Sequence, residues 1–267
     1  MQTALTIAGS DSGGGAGIQA DLKTFAALGV FGMSVITAVT AQNTREVRSV
    51  QNIDLSVIKD QLEAVFDDLP VHAVKIGMLA SRDIVDVVAH RLRHYQPPHV
   101  VLDPVMISKG GHALISDEAI DALKQHLLPV STLVTPNIPE AEKLTGHEIR
   151  SEDDMKQACL TIKAMGAGAV LVKGGHLSGD ANDVLYDGTH FHWFKAKRVK
   201  TKNTHGTGCT LSSAIAALLA RDHKLPDAVA KAKQYMTVAI THSLELGSGH
   251  GPTHHFYDLY RQANLLD

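Results

Sequence analysis

Short apolar runs alternate along this chain with longer amphipathic stretches. Residues 4–8, 35–39, 74–76, 100–102, 132–134 and 169–172 are brief and almost continuously apolar. Runs of that kind suit strands of a parallel sheet buried on both faces. Between them the apolar period lengthens to that of a helix. Residues 55–68 place Leu55, Ile58, Leu62, Val65 and Phe66 on one face, with Asp54 positioned to cap the start. A second helix opens at Ser151, runs through Met155, Ala158, Cys159 and Ile162, and has Gly166 suited to its end. Residues 16–28, 207–220 and 226–246 read as further helices. Residues 182–195 read instead as an antiparallel pair turning at Asp187 and Gly188. Strand and helix in alternation predict an α/β fold with a central, mostly parallel sheet and helices on both faces.

Composition narrows the class of protein. Of the 267 residues 44% are apolar, enough for a full-sized core, and no repeat or linker-like stretch divides them. A single domain over 1–267 is therefore expected. Twenty-five basic against twenty-eight acidic residues leave a formal charge of −3, without the basic excess of a nucleic-acid or membrane-surface protein. The start, MQTALTIAGSDSGGG, lacks a basic leader, and no apolar run reaches the roughly 18 residues of a spanning helix. Two cysteines, Cys159 and Cys209, form no CxxC pair. A soluble protein of the reducing cytoplasm is the expectation.

Two glycine-rich turns carry candidate chemistry. AGSDSGGGAG at 8–17 follows the first strand and leads into a helix, where backbone amides can approach an anionic or polar ligand. It is not a dinucleotide fingerprint, because position 18 is Ile18 rather than glycine. No Gly-Lys pair exists for a Walker A loop, and the His-Arg-Asp and Asp-Phe-Gly signatures of protein kinases are missing. NTHGTGC at 203–209 runs straight into an apolar helix. Gly206, Thr207 and Gly208 there gather unpaired amides into an anion hole. Cys209 falls in the first turn, where the helix dipole is expected to draw its thiol pKa down from ~8.5 toward neutrality. An inert buried cysteine is the competing reading. For Cys159, on the apolar stripe of its helix, a core position is expected.

Acids and a lysine follow predicted strands. VLDP places Asp103, and TPNIPEAE places Asn137 and Glu140, beyond strand ends where open α/β sheets bind ligands. Two hard oxygen donors near phosphates suit Mg²⁺, although alone Asp103 is equally a turn residue and Glu140 a helix-start acid. Lys173 precedes Gly174 and Gly175, within reach of phosphate oxygens or simply solvated. The sixteen histidines form no H-E-x-x-H, and no G-x-S-x-G is present.

Taken in order, IAGSDSGGGAGIQADLKTF, TAVTAQNT, KIGML, VLDPVM, TPNIPEAE, VLVKGGH and HGTGCTLSSAIAA resemble the hydroxymethylpyrimidine and phosphomethylpyrimidine kinases of thiamine biosynthesis over essentially the whole chain. The resemblance implies a ribokinase-like fold, Mg²⁺ with ATP as phosphoryl donor, two successive transfers, and a homodimer. It implies that Gly9, Asp21, Gln42, Met78 and Val105 line the pyrimidine pocket. Asp103 and Glu140 would handle Mg²⁺, Asn137 and Lys173 the phosphates, Lys233 the nucleotide, and Gly206, Thr207, Gly208 and Cys209 the anion hole. Sugar kinases of this fold end that motif in Gly-Asp; here it ends in Gly-Cys. The cysteine argues against a sugar and leaves vitamin B6 as the alternative substrate. Certain pyridoxal kinases use a second cysteine in the lid loop, and residues 105–112, VMISKGGH, lack it. A non-catalytic pyrimidine sensor is the alternative of a different class.

Overall fold

The computed structural model describes residues 1–106, 115–176 and 179–266. Among the described residues ten strands are formed: β1 (Thr3–Ala8), β2 (Phe31–Ile36), β3 (Ala38–Gln42), β4 (Val47–Asn52), β5 (Ala73–Ile76), β6 (Val100–Leu102), β7 (Leu133–Val134), β8 (Val170–Lys173), β9 (Asp183–Tyr186) and β10 (Phe191–Phe194). The α-helices are α1 (Gly17–Ala27), α2 (Leu55–Phe66), α3 (Arg82–Tyr95), α4 (Asp117–Ala122), α5 (Ile138–Thr145), α6 (Glu152–Ala164), α7 (Thr207–Ala220), α8 (Leu225–Thr241) and α9 (Tyr257–Gln262). Eight strands make one sheet in the order β10-β9-β8-β7-β6-β5-β1-β2. Its pairings are parallel from β8 to β2, while β9 and β10 are antiparallel.

Alternation along the central strands builds two cores. Leu5, Ile7, Val74, Ile76, Val100, Leu102, Val170 and Val172 face the layer that holds α2, α3 and α6. Ala4, Ala73, Val101, Leu133, Ala169 and Leu171 face α1, α7 and α8. A period of two on a sheet covered on both sides requires both sets to be apolar, which is why these strands read as continuous apolar runs. Helix α7 is buried from Thr210 to Ala220, so its apolar sequence has no solvent stripe.

Local signals in the sequence are largely realised, with specific departures. Ser151 accepts from the Asp154 amide and completes a capping box, and Gly166 follows α6 at φ +110°. Asp187 accepts from the Thr189 and His190 amides at the β9–β10 turn, with Gly188 at φ +99°. Asp54 does occupy the position before α2, but its side chain makes no cap hydrogen bond. The continuous strand expected at 35–39 is two strands. Thr37 donates its amide to the Ala8 carbonyl and its hydroxyl to that of Met78, and there the chain leaves the large sheet. Beyond it, β3 pairs with β4 as a separate antiparallel hairpin with a register shift at Ala41 and Gln42. The helix expected to reach 246 ends at Thr241. Strand β1 lies between β2 and β5, so the chain reverses direction across the sheet there. Open α/β sheets bind ligands beside such a reversal, beyond the carboxyl ends of the strands.

Candidate active site

The loop after β1 is wound around its own aspartate. Asp11 is buried, and its Oδ1 accepts from the Gly13 amide at 2.8 Å. Its Oδ2 accepts from the amides of Gly15 at 3.0 Å and Ala16 at 2.8 Å, and lies 2.7 Å from His205 Nε2. Burial works to raise the pKa of this carboxyl. The hydrogen bond and charge of His205, with the Ala16 and Gly13 amides, outweigh it and hold the group below its ordinary value. The sequence suggested that these amides would face an anionic ligand; instead Asp11 consumes them.

The second glycine turn interlocks with the first. Gly206 has φ +77° and a Cβ on it would overlap the Gly15 carbonyl oxygen. Backbone pairing of His205 with Gly251 and Pro252 holds the turn from the other side. Helix α7 begins at Thr207, so the amides of Gly208 and Cys209 have no acceptor within the helix and lie free for an anion.

Against this turn stand the acids. Asp103, 1% exposed just beyond β6, holds Lys173 Nζ at 2.9 Å and lies 3.3 Å from the Thr135 hydroxyl and 3.4 Å from that of Ser212. Gly208 packs directly on this pair. Asn137 and Glu140 form the capping box of α5, so the Asn137 carbonyl oxygen and one Glu140 oxygen are already engaged. The buried Glu140 carboxyl is pushed up to about 7, chiefly by desolvation, with Lys173 pulling it down and Asp103 raising it. For Lys173, burial favours the neutral amine, but Asp103 and Glu140 hold its pKa above the ordinary value.

The acids, Lys173 and the second glycine turn open on one cavity of about 930 Å³. Gly9, Gln42, Met78, Val105, Asp103, Asn137, Glu140, Lys173, Gly206, Thr207, Gly208, Cys209 and Lys233 line it together. Lys233 is bound to Asp183 and to the Ala181 carbonyl, both also in the lining. A Cβ on Gly9 would sit 2.6 Å from Met78 Cε, so a side chain there would displace the end of Met78. Residues 107–112 of the expected lid loop lie outside the described residues; Val105 and Met106 are in the lining.

Two expectations are corrected. Asp21 does not line the cavity. It is fully buried beneath it, accepting from Thr6 Oγ1 at 2.6 Å, Lys75 Nζ at 2.9 Å and Ser213 Oγ at 2.6 Å. The Cys209 thiol is pushed up to about 11 rather than toward neutrality. Desolvation is the main cause; Asp21 and Asp103 add to it and Lys75 opposes it. A helix terminus is worth only ~0.3–1 kcal/mol, less than one pKa unit, whereas burial shifts pKa by several. Cys159 lies in the core as expected, its thiol raised to about 12 by burial.

Alkylation by iodoacetamide tests this ordering. The rate at half-buried Cys209 is expected to rise about tenfold per pH unit from pH 7 to 10, because only thiolate reacts. Cys159 stays unlabelled. A plateau at Cys209 below pH 8, read by peptide mass spectrometry, would show an activated thiol and contradict the structure.

Lys75, Asp11, His205 and Asp183 were not singled out from the sequence. Lys75 carried a signal: it is a lysine inside the apolar strand AVKI, and a buried charge requires a partner.

Unpaired amides at a helix start, two buried acids and a lysine around one cavity suit a small-molecule phosphotransferase. The phosphomethylpyrimidine kinase family model matches residues 11–254. The hydroxymethylpyrimidine/phosphomethylpyrimidine kinase of Escherichia coli is 51% identical, over 95% of this chain and 97% of the relative. The thiamine biosynthesis bifunctional protein ThiED of Geobacter sulfurreducens is 53% identical over 94% of this chain, which spans about half (51%) of that longer protein. Among solved structures, an ADP complex of Bacillus subtilis pyridoxal kinase superposes with a TM-score of 0.89 at 42% identity, covering 96% of this chain and 97% of that one. This chain belongs to the phosphomethylpyrimidine kinase family.

Proposed function

We propose that the protein transfers the γ-phosphoryl group of ATP to the hydroxymethyl oxygen of 4-amino-5-hydroxymethyl-2-methylpyrimidine, and then a second one to the monophosphate. The observation that carries this reading is the shared cavity. Gly9, Gln42, Met78 and Val105 supply a mixed apolar and amide wall for a small heterocycle, and the acids, Lys173 and the first turn of α7 supply the transfer machinery. In the first transfer the hydroxymethyl oxygen bonds to the γ-phosphorus as the bond to the β,γ-bridging oxygen breaks. ADP leaves and the hydroxyl proton is released. Lys173 and the Gly208 and Cys209 amides stand where negative charge on the moving phosphoryl group is stabilised. Asn137 offers its remaining amide N–H groups, and Lys233 borders the nucleotide end.

Asp103 and Glu140 fit Mg²⁺. They are buried hard oxygen donors on one cavity, and among the described residues no cluster of three or more metal-binding side chains is assembled. Mg²⁺ commonly takes one or two carboxylates and completes its shell with phosphates and water. When bound, the ion neutralises triphosphate charge. The neutral thiol makes Cys209 a packing and hydrogen-bonding neighbour of the acceptor rather than a resting base. We further propose that residues 1–267 act as one kinase domain and as a homodimer. The exposed Phe31, Val39 and Val50 at the sheet edge and on the β3–β4 hairpin favour association. The two free thiols suit the cytoplasm.

The 42% identity to a pyridoxal kinase favours vitamin B6 as the second reading. A panel of hydroxymethylpyrimidine, its monophosphate, pyridoxal, pyridoxine and ribose with Mg²⁺ and ATP separates the two. The hydroxymethylpyrimidine should have the highest kcat/KM, ribose should be inert, and excess chelator should abolish turnover. A preference for pyridoxal of tenfold, ~1.4 kcal/mol in transition-state binding, would reverse the assignment.

A further inference from the structure

Three lysines that line the cavity are well buried: Lys75, Lys173 and Lys233. Two of them present both signs of charge to it. Lys173 is paired with Asp103 and Lys233 with Asp183, and both acids are themselves in the lining. Lys75 differs. Its partner Asp21 is outside the lining, on the α1 side beneath the sheet, and has the Thr6 and Ser213 hydroxyls as additional donors. The Lys75–Asp21 pair is therefore a buried dipole whose positive end faces the cavity.

The surroundings keep that end charged and close. Burial alone would favour the neutral amine, but Asp21 foremost, with Cys209 and Asp103, holds the Lys75 pKa above the ordinary lysine value. Gly77 is the residue that leaves room for the ammonium, since a Cβ there would lie 2.8 Å from Lys75 Nζ. Lys75 has no exposed surface although it lies in the cavity lining, so its charge acts across a short distance rather than by touching the substrate. In a low-dielectric interior the field of such a dipole is screened less than in water, and its near, positive end dominates on the cavity side.

The proposed function, on which this inference rests, sets two unequal tasks for one site. The first acceptor is a neutral alcohol. The second is a phosphate monoester, with a second pKa near ~6 and therefore close to two negative charges at neutral pH. It has no proton to lose, and its difficulty is approaching another anion. We propose that the Lys75–Asp21 pair is a positioning device for the second transfer, its positive end offsetting the charge of the monophosphate acceptor beside Cys209.

The test measures Lys75→Met with hydroxymethylpyrimidine and with its chemically prepared monophosphate as separate acceptors, following ADP release. The kcat/KM for the monophosphate is expected to fall at least about tenfold further than that for the alcohol. A purely structural role for Lys75 would lower both by the same factor, and equal losses, or a larger loss on the alcohol, would overturn the inference. Lys75→Met leaves Asp21 buried without its cation, which can impair folding. The double variant Lys75→Met/Asp21→Asn removes both charges, and the same change in acceptor ratio is expected of it. If the wild-type protein phosphorylates neither pyrimidine, the proposed function itself fails. If it uses both and the ratio does not move in either variant, only the role of Lys75 fails.

Discussion

Lys173→Met is expected to lower kcat by ~10²–10³-fold while leaving the pyrimidine KM within a few-fold of wild type, the scale seen when one preorganised transition-state donor is lost. The ammonium does two things at once. It faces the anion-hole turn, and it lies 2.9 Å from Asp103 while drawing down the Glu140 carboxyl. Removing it leaves two neighbouring buried carboxyls without a cation. The pH dependence follows from the direction of the Glu140 shift. With a folded value of about 7, Glu140 is protonated below neutrality, so a step that needs its charge loses rate as pH falls through 7. Without Lys173 the Glu140 pKa rises further in the free protein, and the acid limb of the kcat/KM profile moves to higher pH. Stability has the opposite sense. Because the folded value exceeds the ordinary 4.5, the ligand-free fold binds this proton more tightly than the unfolded chain does. That contribution is full below 4.5 and is lost as pH rises through about 7. Steady-state kinetics between pH 6 and 9 read both effects. A variant with near wild-type kcat, or an acid limb that stays in place, would remove Lys173 from the chemistry.

Gly206→Ala is expected to lower the melting midpoint by roughly 5–10 °C and kcat/KM by ~100-fold. At φ +77° any side chain costs about 1–2 kcal/mol, and here the Cβ would also overlap the Gly15 carbonyl oxygen. The Gly15 segment cannot simply retreat. A Cβ at Gly15 would meet His205 Cδ2 at 2.5 Å and Pro252 Cβ at 3.0 Å, so that loop is already packed against its neighbours. Relief must come from moving the start of α7, which carries the Gly208 and Cys209 amides. Gly146→Ala is the control. Gly146 has nearly the same dihedral, φ +76°, at the end of α5, but nothing lies within 4 Å of its Cβ position. It should lose only the conformational part, roughly 2–6 °C, with unchanged turnover. Equal activity in the two variants, measured beside their melting curves, would show that the interlock does not set the anion hole.

What could be read in the sequence and what could not divide along the range of the forces involved. Apolar period and caps act over a few residues, so β1, β5, β6, the opening of α6 at Ser151 and the β9–β10 turn were legible in the sequence. Glycines at strand ends and an apolar helix behind NTHGTGC marked the start of α7, the candidate anion hole, for the same reason. Residues 35–39 misled because the apolar run continues across Thr37, while the break depends on Ala8 and Met78, each distant in sequence. Site electrostatics were the least legible part. The Cys209 thiol was read from its helix position alone, but its state is decided by burial and by Asp21, Lys75 and Asp103, which α1, β5 and β6 bring together. Asp21 was placed in the pocket through the motif that carries it, yet on α1 it turns to Thr6, Lys75 and Ser213 beneath the sheet. The sequence by itself determined the order of elements and the inventory of reactive groups, because both depend on local periodicity and residue type. Which of those groups share a cavity, and which charge each one feels there, only the packing of the sheet against α1 and α7 decided, because desolvation and Coulomb interaction depend on distances that the chain closes only when folded.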